Sequence, residues 1–317
     1  MADVQPKFGI SNYLQNIICQ LGQSLVFEDG ESLLKQLLGI SISARQIQRV
    51  SEHYGKELER QLDKEIVDKA EVESSIEAKE NVYVMADGSM VYTREEGWKE
   101  LKLGRVFAAT DCVKIQAQRS AITKSLYVPH LGEHGAFTRK MEAYIDRYKN
   151  KICIADGAKW IWNWIQNTYP AATQILDYYH AVEKLSLFAQ TQWECSITRK
   201  KWMTEQQEKL LNNQVAEVIL TIQHTLTRNK DGQQAKEAVL RYYEQNQLRM
   251  QYKTYKDKGL LIGSGPMEAA HRNVIQQRLK LSGQRWTIVG AQYIATLRAT
   301  NKSHQWDKVL QLIKKAA

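Results

Sequence analysis

The sequence predicts an α/β protein: a mixed sheet flanked by helices, with a helical N-terminal region and a helical insertion. Three observations carry that expectation. Residues 1–78 repeat apolar side chains every three to four positions, the period of an amphipathic helix. Residues 79–180 change to short runs rich in Val, Ile, Tyr and Thr: "VYVMADGSMVY", "GRVFAATDCVKI", "AITKSLYVPHL", "KICIADG" and "ATQILDYYH". Residues 181–257 return to helical periodicity with dense charge, and 258–317 add one further helix start followed by basic helices. Three antiparallel-looking strands, then helix, strand, helix and strand, describe a mixed sheet with helical cover.

In the first block, "ISNYLQNIICQLGQSLVF" and "ESLLKQLLGI" read as helices. Gly39 then marks a turn, Ser43 is an N-cap with Gln46 three residues on, and Ile47 and Val50 face inward. Two helices about such a turn resemble a helix-turn-helix, although an ordinary helical hairpin reads the same way. In the DNA-binding form Arg45, Gln46, Gln48 and Arg49 would point toward base edges. In the second block "GAFTRKMEAYIDRYKN" and "AKWIWNWIQNTY" are helices around "KICIADG", with Trp160, Trp162 and Trp164 as core contacts. "LLNNQVAEVILTIQHTL" and "AKEAVLRYYEQNQLRM" form the insertion, and Pro266 opens the helix that carries Glu268.

Composition narrows the function. The 317 residues can bury a sizeable core, and no run approaches the roughly 18 apolar residues of a membrane span. Cys19, Cys112, Cys153 and Cys195 show no C-x-x-C spacing, which disfavours zinc ribbons and disulfide frameworks and fits a reducing cytoplasm. The N-terminus lacks a signal-peptide layout. A net charge of +9 suits a surface that neutralises phosphates.

Asp-Gly occurs at 29–30, 87–88, 156–157 and 231–232. A turn suits Asp29 and Asp231, and a hairpin could form at Asp87. Asp156 fits a turn less well, because the residues after it read as helix. A strand ending in Asp instead aims a carboxylate into the crevice where open α/β sheets bind ligands. Glu268 is a third acid at a helix start, where it could equally cap its own helix.

Four ordered blocks, "DGSMVYTREEGWKELKLGRVF", "IADGAKWIWNWI", "ILDYYHAVEKL" and "IGSGPMEAAHRNVIQQRLKLSGQRWT", span residues 87 to 287. Together they resemble the signature blocks of the Kra-type insertion-sequence transposases, a branch of the RNase H-like DDE enzymes. The resemblance implies an RNase H-like core over 79–180, preceded by a DNA-binding region over 1–78. A helical insertion would follow over 181–257, with 258–317 completing the core. It also implies that Asp87, Asp156 and Glu268 are the catalytic, metal-binding acids, holding two Mg2+ or Mn2+ ions. Such hard cations prefer carboxylate oxygen, and a pair of them stabilises both the attacking and the leaving oxygen of a phosphodiester displacement. Asp177 and His180 correspond to a D-x-x-H element that supports the core. Arg272, Arg278, Lys280, Arg285 and Trp286 become DNA-contact candidates. The implied partners are the element's terminal repeats, target DNA and further copies of the chain, in the cytoplasm.

One departure is that no cysteine-rich, zinc-binding stretch precedes the helical segment. A truncated or repurposed, non-cleaving DNA-binding relative is therefore the alternative. Two other enzymatic readings are weaker. A di-iron site from Asp177/His180 and Glu268/His271 needs every segment helical, yet Asp177 closes a strand-like run. A glycosidase finds paired acids but no sugar platform.

Overall fold

The structure is a computed structural model that describes residues 7–71, 78–116 and 119–315. Along the chain, helices α1 (Asn12–Ser24), α2 (Phe27–Leu38) and α3 (Ala44–Glu71) come first. Strands β1 (Ala78–Thr93), β2 (Gly97–Ala108), β3 (Cys112–Gln116), β4 (Arg119–Ile122) and β5 (Leu126–Leu131) follow. Then come α4 (His134–Ile145), β6 (Tyr148–Ala155), α5 (Lys159–Thr168) and β7 (Thr173–Leu176). Helices α6 (Tyr178–Gln192), α7 (Ser196–Leu211), α8 (Val215–His224), α9 (Lys230–Asn246) and α10 (Tyr252–Asp257) come next, α6 starting within the run read as strand up to His180. The last elements are α11 (Gly265–Ala270), a π-helical turn over His271–Gln276, α12 (Gln277–Leu279), α13 (Ile288–Lys302) and α14 (Asp307–Lys315). The chain is therefore α/β, with antiparallel and parallel strand pairing both present and helices around them. Among the described residues, no helix is long and apolar enough to cross a membrane.

The chain divides into two compact units, Met1–Asn150 with Met267–Ala317 and Lys151–Pro266. In the first, β1 pairs antiparallel with β2, and β2 with β5. The β1–β2 register runs from Val82 opposite Ala108 to Thr93 opposite Gly97. The turn therefore lies at residues 94–96, and the hairpin considered at Asp87-Gly88 does not form. The run read as one strand from Gly104 is split by a short 3-10 turn at Ala109–Asp111.

The N-terminal helices and the C-terminal ones share a core. Ile18 and Cys19 of α1 and Leu34 of α2 meet Ile47, Val50, Tyr54 and Leu58 of α3 there. Leu297 of α13 and Val309 and Ile313 of α14 complete it. Ile47 and Val50 are fully buried, as the sequence predicts, and Ser43 Oγ accepts the Gln46 N–H at 3.3 Å to cap α3. Gly39 closes α2 in the left-handed region, at φ 66°. Helix α3 crosses α13 so closely that a Cβ at Gly55 would run into the Tyr293 carbonyl.

Two buried arginines finish the last turn of α1, whose final carbonyls have no partner within the helix. Arg278 Nε donates to Gly22 O at 3.0 Å, and Arg298 Nη1 to Gln23 O at 2.8 Å. Cations at a helix C-terminus also complement its dipole. Glu59 of α3 accepts from Lys140 of α4, from Thr296 of α13 and from Gln292, tying three helices around one carboxylate.

In the second unit β6 and β7 pair in parallel, Ile152 opposite Thr173 to Ala155 opposite Leu176, with α5 as the connection. The insertion helices build their own interior from Leu185, Phe188, Val218, Ile222 and Tyr243. Tyr243 donates its hydroxyl to Ala181 O at 2.8 Å. Trp162 and Trp164 are buried, as expected of core contacts.

Two outcomes follow for the first unit. Gly55→Ala forces α3 from α13 and lowers stability in urea by about 1–3 kcal/mol. Burial, with Lys140 and Lys102 nearby, holds the His130 imidazole down at about 4, against about 6.5 when unfolded. The unfolded chain thus takes up the proton first. The His130 contribution is complete above pH ~6.5 and is lost as pH falls toward ~4, at most about 3 kcal/mol. A urea series across that range should show the decline, and His130→Leu should flatten it.

Candidate functional site

Strand β1 runs through the first unit with Val82 to Ala86 all buried, and Asp87 is where it opens. Its side chain is 41% exposed. Asp87 lies in mid-strand opposite Leu103, which corrects the expectation of a strand-end acid. The Glu100 carboxylate lies in the space that a Cβ of Gly88 would take. Glu100 in turn binds the buried Lys102 Nζ at 2.6 Å, and Lys102 also donates to Gly132 O at 2.8 Å.

Glu268 is exposed in the first turn of α11. Three residues on, His271 is buried and sets Nε2 3.4 Å from Asp87 Oδ2. Residues three apart share a helix face, so this contact brings the Glu268 helix alongside the Asp87 strand. Among the described residues, neither His271 ring nitrogen has a hydrogen-bond partner. Burial lowers the imidazole pKa, and the Asp87 charge opposes the shift. His271 opens the π-helical turn, a widened geometry often found at functional positions. The spacing of His271 from Glu268 fits only the di-iron pattern excluded above, and nothing in it marks His271 as the neighbour of Asp87.

Asp156 belongs to the second unit and follows β6 directly, the strand-end position the sequence predicts. Its Oδ1 accepts the Ala158 N–H at 2.9 Å, and its main-chain oxygen accepts Trp162 Nε1 at 2.9 Å. These bonds fix the loop into α5. The ring of Tyr242, on α9, lies where a Cβ of Gly157 would stand. Among the described residues the Tyr242 hydroxyl has no hydrogen-bond partner, and its pKa is raised by burial and then by the Asp156 charge. No motif in the sequence marks Tyr242.

Asp177 is fully buried and caps α6. Oδ1 accepts the Tyr179 N–H at 2.7 Å, while Oδ2 takes His180 Nδ1 at 2.9 Å, the Ser264 N–H at 3.1 Å and the Ser264 hydroxyl. Burial alone would raise its pKa, but the bonds from His180 and Ser264 hold it below the usual carboxylate range. With its lone pairs so used, Asp177 is a clamp on the segment that leads to Pro266.

The other two Asp-Gly pairs are not turns either. Asp29 and Asp231 sit in the first turns of α2 and α9, where a negative charge complements the helix dipole.

The DNA-contact candidates separate by burial. Arg45, Arg49, Arg272, Lys280 and Arg285 are exposed, and Gln46 and Gln48 are half-buried. Arg49 lies 5.3 Å from the Phe8 ring, and Gln48 bonds Glu52 at 2.8 Å. Arg278 and Trp286 are corrected to packing residues. The Arg278 guanidinium lies 4.6 Å from the Phe27 ring and 4.8 Å from that of Trp286, with nothing exposed. Trp286 bonds Leu279 O through Nε1 at 3.2 Å. Burial pushes Arg278 down to about 10.

Asp87 and Glu268 lie in one unit and Asp156 in the other. Among the described residues, no group of three or more His, Cys, Asp or Glu is arranged to hold a metal ion. No protein-family model matches this chain, and no curated protein matches it.

The Asp177 clamp gives a stability outcome. Asp177→Ala leaves the buried Ser264 donors without their acceptor and costs about 3 kcal/mol. Ser264→Ala costs about 1 kcal/mol, and thermal unfolding of both variants measures the difference.

Proposed function

We propose that the chain is a DDE transposase that cleaves and joins DNA at the ends of its own element. The contact between Asp87 and His271 is the observation that carries the reading. It sets the helix bearing Glu268 beside the carboxylate that follows the buried run Val82 to Ala86 of β1. Asp156 supports the same reading from the second unit: one carboxylate oxygen is anchored by Ala158, which fixes the direction of the other.

The donor chemistry fits the implied metal. All three acids offer oxygen alone, the ligand that magnesium and manganese prefer. When bound, two such ions would stabilise charge on the attacking and leaving oxygens of a phosphodiester exchange. The chain's own contribution is positional. His271 lies behind Asp87 and limits its rotation, Ala158 orients Asp156, and the bonds at Asp177 steady the approach to Glu268. Arg272, Lys280 and Arg285 supply phosphate contacts whose affinity falls steeply with salt. Arg45, Gln46, Gln48 and Arg49 remain candidates for reading the element's terminal repeats, with copies of the chain acting together on paired ends.

The test is cleavage of a supercoiled plasmid carrying the DNA that flanks the gene. With magnesium or manganese, wild type nicks at the element's ends, and Asp156→Asn loses at least about a hundredfold in rate while retaining DNA binding. Wild-type-like cleavage by the variant would remove Asp156 from the site. DNA bound but uncut by both proteins would favour a repurposed DNA-binding relative.

A further inference from the structure

Around the tip of the β1–β2 hairpin, the first unit exposes aromatic surface that its core does not use. Trp98 is 64% exposed and Tyr92, directly opposite it in the register, 37%. Their rings meet edge to face at 5.4 Å. Together with residues 279–285 they line a cavity of about 440 Å³. Two cations border it: Arg285 stands 6.0 Å from the Tyr92 ring, and Lys280 reaches Ser89 Oγ at 3.0 Å. Arg94 is exposed beside them, its Nε bonded to Arg285 O at 3.2 Å. The nearby acids are engaged. Glu96 pairs with Lys99, and Glu95 accepts the Ile288 N–H at 3.2 Å.

The hairpin tip is held firmly. The Arg94 N–H donates to Trp286 O at 2.8 Å, and the Trp286 N–H to Tyr92 O at 3.2 Å. Trp286 is itself buried against Phe27 and Arg278. The aromatic pair is thus presented on a rigid base, in a cavity open to solvent.

We infer that this cavity binds an unpaired nucleobase of a DNA strand, stacked on Trp98 and Tyr92, with Lys280 and Arg285 on the adjoining phosphates. An exposed aromatic pair flanked by exposed cations suits an anionic ligand that also carries a flat, apolar face. A base with its phosphates has both, whereas the base pairs of intact duplex keep their faces stacked on one another. The inference rests on the transposase reading for its choice of DNA, and it adds a site for unpaired strand. Tyr92 is five residues from Asp87, about 17 Å along the strand. The base held there would therefore flank the cut and not be the nucleotide at it.

The experiment uses full-length protein and two fluorescent DNAs, a blunt duplex of about twenty base pairs and the same duplex with about five unpaired nucleotides at one end. The readout is the ratio of the two affinities. Wild type should prefer the extended DNA, and Trp98→Ala should reduce that preference about tenfold. Tyr92→Leu should reduce it as well, while Tyr13→Ala, an exposed aromatic on α1, should keep the wild-type ratio. Circular dichroism confirms that each variant is folded. 2-Aminopurine in the unpaired segment should be quenched by wild type and less by Trp98→Ala.

No preference for the extended DNA in wild type, or an unchanged ratio in folded Trp98→Ala and Tyr92→Leu, overturns the inference. Element-end cleavage with no such preference overturns this site and leaves the transposase reading intact. A Trp98-dependent preference in a protein that never cuts DNA supports the site and counts against the transposase.

Discussion

A carboxylate at the end of a run of five buried residues, Val82 to Ala86, is the constraint around which the first unit is arranged. A buried charge is costly unless it is paired or reaches water. At Asp87 the cost is limited because β1 opens to solvent there and the Gly88 N–H donates to Oδ1 at 2.7 Å. On the opposite face of the strand, Gly88 leaves room for Glu100, which neutralises Lys102. His271 comes to Oδ2 from the C-terminal segment, so an acid on β1 and a helix some 180 residues later are held to one geometry. That is the role a catalytic carboxylate asks of its surroundings.

The C-terminal segment is itself fixed by side chains that look as though they belong on the surface. Arg278 and Arg298 reach the last carbonyls of α1, and Arg298 also holds Asn273 O within the π-helical turn at 2.9 Å. The position of the turn that carries His271 therefore depends on the end of an N-terminal helix. The second unit shows a parallel device at Asp177, where one buried carboxylate joins α6 to the segment that leads out of the unit.

The sequence made local chemistry legible and long-range burial illegible. Ser43 as a cap, Gly39 as a turn, Ile47 and Val50 as core, and Asp156 after a strand all follow from residues within a few positions of one another. Asp87-Gly88 carries the same dipeptide as a hairpin turn, and only the β1–β2 register, which sets Asp87 opposite Leu103, shows that it lies in mid-strand. Arg278 and Trp286 read as a basic, exposed block because nothing in "QQRLKLSGQRW" reveals that Gly22 and Phe27 will cover them. His271 and Tyr242 were missed for the same reason. Each acquires its meaning from a partner on a distant element.

The central claim is that Asp87, Asp156 and Glu268 act together on divalent metal. Manganese binding to the full-length protein, followed by electron paramagnetic resonance of the free ion, tests it most directly and does not depend on finding the right DNA. The account predicts that wild type depletes free manganese and that Asp87→Asn, Asp156→Asn and Glu268→Gln each weaken the binding, with Asp177→Asn as a structural comparison. Binding that is absent in wild type, or equally strong in all three acid variants, would contradict it.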